Sequence, residues 1–207
     1  MDDEYYSIIR GASQEIRVKS SRFIGQVKAV NTVKQAGEYI NLISTQNFNA
    51  THNCTAYKVG IGDKAIYKYN DDGEPGGTGG RPILEVIEAQ ELTNIVTVVT
   101  RYFGGIKLGT GGLSRAYRNC AEQTLQKAGK KKFFLTVPLV LNFSYDLTGI
   151  VMEIVEKNNC RIVDKQYGTE TELTVRIKKS QSDTIKQLLL DKTSGKIIIK
   201  EGENEFN

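Results

Sequence analysis

The feature that most constrains the fold of this sequence is a four-residue string, Gly-Thr-Gly-Gly, which occurs twice and each time leads into a segment of helical periodicity. The first copy, residues 77–80, lies in NDDGEPGGTGGRP, and the second, residues 109–112, lies in RYFGGIKLGTGGLSRAYR. Glycine permits tight backbone turns and close approaches that other residues do not. The two copies therefore predict two loops, each delivering the free amide groups and positive dipole end of a helix to one point.

Strand and helix patterns on either side of these loops fall into two groups. The first group is predicted as two strands within 15–30, a helix at 32–46, a hairpin of 50–59 and 64–70, a helix opened by Pro82, a strand at 94–101, and a helix at 113–128 that Gly129 ends. The second group, from residue 137 to 201, has the order βαββαβ, which is typical of a ferredoxin-like domain. We therefore predict an α/β (α+β) protein with two domains, residues 1–135 and 136–207.

The basic excess of the chain lies in its first part. Residues 1–135 hold 18 Lys and Arg against 13 Asp and Glu, a net charge of +5, and residues 136–207 hold 10 against 11, a net charge of −1. Basic charge beside convergent amides favours phosphate, although an excess this small also occurs in proteins that bind no nucleic acid. The predicted anion or nucleic-acid site comprises Arg101, Lys107, Gly109, Thr110, Gly111, Gly112, Arg115, Arg118, Gly77, Thr78, Gly79 and Gly80, with both threonines as helix caps.

Two alternatives bear on these loops. The second loop begins like a P-loop, with Gly104 and Gly109 correctly spaced, but Thr110-Gly111 stands where Lys-Ser/Thr would reach the phosphates and magnesium. A nucleoside-triphosphatase is therefore excluded. The other alternative, that the glycines only make tight turns between strand and helix, stays open for each glycine taken singly.

Three carboxylates, Asp71, Asp72 and Glu74, accompany the first loop. They could bind magnesium, or Asp71 or Asp72 could pair with Arg101 or Arg81 and brace the backbone. No histidine lies beside them in the sequence, so we favour the ion pair and predict neither a metal nor a cofactor.

His52 and Cys54 are two residues apart on a predicted strand and therefore point the same way, as a Cys–His catalytic pair would require. No third group to orient them lies nearby in the sequence. We favour a buried structural cysteine and a hydrogen-bonded histidine, with His52 kept as a candidate ligand if it lies beside the loops. Tyr102-Phe103 could stack on bases, but packing beneath the following loop is the favoured interpretation.

The three cysteines are odd in number and far apart, which favours free thiols over a disulfide or zinc site. The sequence has no apolar run of eighteen residues and no charged-then-apolar leader, so we expect a cytoplasmic protein with no membrane contact. The charge run Lys130-Lys131-Lys132 is expected to lie in a solvated linker.

Four segments together resemble the YigZ/IMPACT family: SRFI (residues 21–24), HNCTAY (52–57), DDGEPGGTGGRPIL (71–84) and VTRYFGGIKLGTGGLSRAY (99–117). The family often has a second histidine where Asn53 stands and a basic residue where Ser20 stands. The resemblance covers essentially the whole chain. It implies a first domain like the second domain of a small-subunit ribosomal protein and domain IV of elongation factor G, and a second domain like domain V of that factor.

The resemblance also implies a translation-linked, non-enzymatic regulatory protein that contacts RNA or the ribosome through the basic glycine-rich cleft. Eukaryotic relatives restrain a stress-responsive kinase of translation largely through an additional N-terminal domain, so that mechanism is not carried over. Two alternatives remain: an enzyme or binding protein for a small phosphorylated or anionic metabolite, with Asp71, Asp72 or Glu74 as base or metal ligand, and a protein partner bound by the second domain. No DNA sequence specificity is expected.

Overall fold

The protein, seen in a computed structural model that describes residues 3–206, divides into two compact units, each with its own sheet and core. The first unit is Tyr5–Lys132, and the second comprises residues 133–206 with residues 3–4. Each unit combines helices with an antiparallel sheet. The predicted mixed α and β fold class is confirmed.

The first unit is built on a five-stranded sheet. Strand β1 (Glu4–Ile8) precedes this sheet in the chain and is not one of its strands. The elements that follow are β2 (Ala12–Val18), β3 (Ser21–Ala29), α1 (Val33–Gln46), β4 (His52–Val59), β5 (Ile66–Asn70), α2 (Gly80–Ala89), β6 (Ile95–Tyr102) and α3 (Gly109–Ala128). The strand order is β2-β3-β6-β4-β5, with every neighbouring pair antiparallel. The central strand β6 is buried over seven of its eight residues because helices cover both of its faces.

The helices divide between the two faces of this sheet. One face packs with α2 and α3 into the larger core, where Phe23 meets Tyr117 edge-on with ring centroids 5.2 Å apart. The other face packs against α1 through a smaller core that includes Ala36, Tyr57 and Val96. Because β-strand side chains alternate, Cys54 and Arg101 point toward α2 and α3, where the two glycine-rich loops arrive.

The second unit has the predicted order of elements. They are β7 (Lys130–Phe143), α4 (Thr148–Lys157), β8 (Arg161–Tyr167), β9 (Thr171–Lys178), α5 (Ser182–Lys192), β10 (Ile197–Glu201) and a short β11 (Glu205–Phe206). In the described residues the sheet has six strands: β1, β7, β9 and β8 are neighbours in that order, and β10 and β11 also pair with β7. Within it, the order β10-β7-β9-β8 is that of a ferredoxin-like sheet. The core lies between this sheet and the helices α4 and α5.

Three predicted boundaries need correction. Helix α3 begins at Gly109 rather than residue 113, and α2 begins at Gly80 rather than at Pro82, so the glycine strings enter the first helical turns. The lysines from Lys130 to Lys132 belong to strand β7 rather than to a linker, and the Lys130 ammonium lies 4.1 Å from the Tyr6 ring centre. The sequence pattern does not indicate β1, and β11, with two residues, is too short to give a periodic signal.

Among the helices of residues 3–206, none combines the length and the apolar character that a membrane crossing requires.

Candidate functional site

The first glycine-rich loop closes around a carboxylate of the chain itself. Oxygen Oδ1 of Asp71 accepts hydrogen bonds from the amides of Gly79 and Gly80 at 2.9 and 2.8 Å, and Oδ2 accepts one from the Gly77 amide at 2.8 Å. Charge-assisted bonds of this kind also complement the dipole at the start of α2. The loop therefore does gather amides around an anion, but Asp71 occupies the place that the sequence analysis assigned to a ligand.

Two glycines of this loop are required by close packing. A Cβ atom on Gly79 would lie 2.3 Å from Sγ of Cys54, and one on Gly80 would lie 2.5 Å from the carbonyl oxygen of Asn70. Both distances are far below van der Waals contact, so no side chain fits without displacing a strand. Thr78 is not a cap, because its hydroxyl donates to the Pro75 carbonyl at 2.7 Å and Gly79 holds the cap position.

A buried ion pair lies beneath the loop. Atom Oε1 of Glu74 accepts hydrogen bonds from Nη1 of Arg101 at 2.7 Å and from the hydroxyl of Tyr117 at 2.8 Å. The Glu74 side chain is 2% exposed and the Arg101 side chain 6%. Burial is the main cause that raises the pKa of Tyr117, so its hydroxyl remains a donor at neutral pH. Glu74 thus connects the first loop, β6 and α3.

The predicted bracing partners were wrong in detail. Arg101 pairs with Glu74 rather than with Asp71 or Asp72, and Arg81 pairs with Glu85 on the next turn of α2 at 3.2 Å. Asp72 instead accepts a hydrogen bond from the Asn53 amide at 2.6 Å. Within residues 3–206, no group of three or more His, Cys, Asp and Glu side chains could hold a metal ion. The acids of the loop therefore serve as internal acceptors.

His52 is also engaged by this loop. Its Nδ1 lies 2.7 Å from the carbonyl oxygen of Asp72, and its Nε2 lies 3.8 Å from Oε2 of Glu74. A carbonyl oxygen only accepts, so Nδ1 carries a proton and donates it to this bond. The histidine therefore fixes the backbone of the acidic loop from the edge of the cluster.

The Cys54 thiol is unsuited to nucleophilic chemistry. It is buried and donates a hydrogen bond to the carbonyl oxygen of Asp71, with Sγ and O 3.0 Å apart. Burial, and to a smaller extent the nearby carboxylates, raise the pKa of the thiol, so the reactive thiolate is suppressed. His52 and Cys54 lie at one site, but their bonds are directed to the loop backbone rather than to each other.

The second glycine-rich loop has a different environment. It leaves β6 and presses against the two-residue turn between β2 and β3, where Lys19 and Ser20 have φ values of 43° and 68°. A Cβ atom on Gly104 would lie 2.1 Å from the Ser20 carbonyl group, and the Gly104 amide donates to the Ser21 hydroxyl at 3.2 Å. Gly104 is therefore required by contact between two backbones.

Helix α3 begins without an internal anion. No side chain caps it, its first turn holds no acidic residue, and the amides of Gly109, Thr110 and Gly111 donate to no side chain within residues 3–206. Thr110 lies inside the helix and is not a cap. Gly109 has φ of 69°, whereas a Cβ atom on Gly111 would meet only Arg115 Nη1 at 3.5 Å. Gly111 therefore needs neither positive φ nor close packing within the protein.

A cleft of about 260 Å³ opens beside this helix start, lined by Val18, Lys19, Leu108, Gly112, Arg115, Ala116 and Asn119. We call it the α3 cleft. Of the four cations predicted for the site, Arg101 is buried against Glu74, and Arg118 pairs with Glu85. Lys107 and Arg115 are exposed and have no ion pair within residues 3–206.

Lys19 is a member of the cleft that sequence reasoning missed. Its position between two strand patterns indicates a turn, but only the contact of Gly104 with that turn brings it beside α3. The start of α3 thus has amides that donate to no side chain in the described residues, and the adjoining cleft holds Lys19 and Arg115.

Comparison with known proteins assigns both units to domain families. The Impact N-terminal domain matches residues 19–125, and a domain of unknown function, DUF1949, matches residues 141–196. The fold and the paired loops thus define a two-domain protein with an Impact-type first domain. The chain belongs to the IMPACT family.

Individual relatives extend this similarity over the length of the chain. The IMPACT family member YvyE of Bacillus subtilis is 37% identical over 96% of this chain and 91% of its own length. The member YigZ of Escherichia coli is 30% identical over 87% and 89%, and Protein IMPACT-B of Xenopus tropicalis is 29% identical over 63% and 45%. A crystal structure described as that of a hypothetical protein matches 99% of this chain and 100% of its own, with a TM-score of 0.70 and 25% identity.

Proposed function

We propose that this protein is a translation-linked, non-enzymatic regulator that works in the cytoplasm and contacts RNA or ribosomal phosphate through the α3 cleft. The observation that carries the proposal is the contrast between the two helix starts. Asp71 satisfies the amides at the start of α2, whereas the start of α3 has equivalent amides, two nearby cations and no carboxylate. A helix start of the second kind favours an external anion.

Family membership supports the translation link. The chain matches bacterial IMPACT family members and eukaryotic IMPACT proteins, and the Impact N-terminal domain matches the unit that contains the cleft. A metabolite enzyme receives less support, because Asp71, Asp72 and Glu74 are committed to bonds within the protein. A protein partner of the second unit stays a prediction.

The charge contribution can be tested with Lys107→Ala combined with Arg115→Ala. We expect weaker RNA binding for unrelated sequences, because phosphate contacts carry no sequence information. The slope of log affinity against log salt should become shallower by about 1.5 to 2, corresponding to two lost phosphate contacts. Filter binding across a salt series measures both quantities. Lys34→Ala with Lys64→Ala is the matched control, since it removes equal charge from exposed sites elsewhere in the unit.

Co-migration of the full protein with ribosomes in sucrose gradients at low and high salt tests the same contact in lysate. An unchanged salt slope in the Lys107 and Arg115 double variant would remove these residues from the contact. Stabilisation by inorganic phosphate with no binding to RNA would favour the metabolite alternative.

The amide contribution can be tested separately with Gly111→Ala. The added methyl group meets nothing closer than 3.5 Å, and alanine should stabilise the helix by about 0.5–1 kcal/mol. We expect RNA binding to weaken nonetheless, because the methyl group would stand between the amides and a phosphate. Gly37→Ala, inside α1 with open space around it, provides the control for helix stabilisation alone. Full binding by the Gly111 variant would restrict the contact to the charged side chains.

A further inference from the structure

An exposed aromatic surface lies at the end of the sheet from which the second loop leaves. Phe103 directly follows β6 and is 46% exposed, and Phe48, in the segment between α1 and β4, is 85% exposed. Ile106 of the second loop is 51% exposed. We call these three side chains, two phenylalanines and one isoleucine, the aromatic surface. A phenylalanine that faces water forgoes the stabilisation that burial would give, so two of them beside one loop are unusual for turn residues.

Hydrogen bonds fix the segment that carries Phe48 against the end of β6. The Thr51 amide donates to the Arg101 carbonyl at 2.8 Å, and the Phe103 amide donates to the Thr51 hydroxyl at 3.0 Å. The Tyr102 hydroxyl donates toward the side-chain oxygens of Asn47 and Asn49, at 3.0 and 3.3 Å. Tyr102 therefore acts as a brace, and the phenylalanines on either side of this network remain exposed.

Positive charge accompanies the aromatic surface. The Arg101 guanidinium lies 5.3 Å from the Phe103 ring centre, and Lys107, four residues further along the loop, is exposed without an ion pair in the described chain. The neighbouring carboxylates are already occupied, since Glu74 bonds Arg101 and Asp72 bonds the Asn53 amide. Arg101 is neutralised by Glu74, so Lys107 is the available cation. The surface thus offers flat apolar groups beside an exposed cation, which is the combination that binds single-stranded nucleic acid.

We infer that the ligand is single-stranded RNA, with bases stacked on Phe103 and Phe48 and phosphates at Lys107 and the α3 cleft. This inference rests on the proposed function and specifies its ligand. Phosphate contacts alone would serve a duplex equally well, but the base faces of a duplex are hidden in its stack. Exposed phenylalanines gain contact area only from bases that are unpaired.

The experiment compares three ligands by fluorescence anisotropy: a labelled uridine strand of about 12 nucleotides, an abasic strand of the same length, and a duplex. We expect the uridine strand to bind the full protein more tightly than the abasic strand or the duplex. Phe103→Ala and Phe48→Ala should each weaken uridine-strand binding about tenfold, in line with the loss of one stacked base, and leave abasic-strand binding unchanged. Tyr67→Ala, which removes a 59% exposed aromatic from β5, should leave all three affinities unchanged.

Phe103 packs beside Arg101, so Phe103→Leu is a second variant that keeps an apolar side chain over Arg101 but removes the flat ring. Phe48 is 85% exposed, so Phe48→Ala removes few contacts within the protein and should not affect folding. Equal affinity for the uridine and abasic strands, or wild-type affinity in the folded Phe48 and Phe103 variants, overturns the stacking inference while leaving the phosphate contact in place. Absence of binding to all three ligands overturns the proposed RNA contact and this inference with it.

Discussion

Replacing Glu74 with alanine is expected to lower the free energy of unfolding of the first unit by about 3–5 kcal/mol. The substitution leaves the buried Arg101 guanidinium without its counterion and the Tyr117 hydroxyl without its acceptor. Arg101 lies between Phe23 and Phe103, with ring centres at 5.6 and 5.3 Å, and its Nε already has no partner. Neither aromatic neighbour can replace a carboxylate, so the charge must be exposed to water or remain buried at high cost.

Urea unfolding followed by amide resonances of β6 and of β9 would measure the two units separately. Glu85→Ala is the control, because it also removes a carboxylate that meets two arginines, Arg81 and Arg118, but at side-chain exposures of 40–64%. Its expected cost is at most about 1 kcal/mol. If Glu74→Ala and Glu85→Ala lower the free energy of unfolding by similar amounts, burial does not make the Glu74–Arg101 pair more important for stability than the exposed Glu85 pairs.

Replacing Asp71 with alanine is expected to destabilise the same unit by about 3 kcal/mol, since the amides of Gly77, Gly79 and Gly80 lose one shared ionic acceptor. The variant should also become sensitive to small anions. Formate can occupy the position of the lost carboxylate, and at a concentration ten times its Kd it would restore about 1.4 kcal/mol. Thermal unfolding of the variant and the wild type over a formate series measures this rescue.

Asp72→Ala is the matched control for that rescue. Asp72 lies next to Asp71, but within residues 3–206 its carboxylate accepts a single hydrogen bond, from the Asn53 amide, and binds no amide at a helix start. Its loss should be smaller and formate should not restore it. A formate series that stabilises the Asp71 variant no more than the Asp72 variant would contradict an anion cradle at the start of α2.

The fold could be predicted from the sequence because its signals are local. The β-branched run of β6, the apolar stripe of α3 and the βαββαβ order of the second unit arise from neighbouring residues. The pairing within the site could not be predicted in the same way. Glu74 meets partners 27 and 43 residues away, and a sequence that offers several acids and several arginines does not specify which of them meet.

The two Gly-Thr-Gly-Gly strings have the same sequence, but within the described residues the amides of the first bind an internal carboxylate and those of the second do not. Asp71 lies six, eight and nine residues before the amides that it binds at the first string, whereas the nine residues before the second string contain no acid. That spacing is visible in the sequence and would have indicated that only the second string is open. The exposure of Phe48 and the role of Lys19 depend on long-range contacts and leave no such local signal.

The buried thiols of the first unit can report its local unfolding, because they are accessible to reagents only when that unit opens. Cys54 is held beneath the first loop by its bond to the Asp71 carbonyl, and burial raises the pKa of Cys120, on α3, to about 12. An alkylating reagent reaches either sulfur only after the first unit opens, whereas Cys160, partly exposed, belongs to the second unit. The rates at which the three cysteines are labelled in one mixture therefore report how often each unit opens under native conditions.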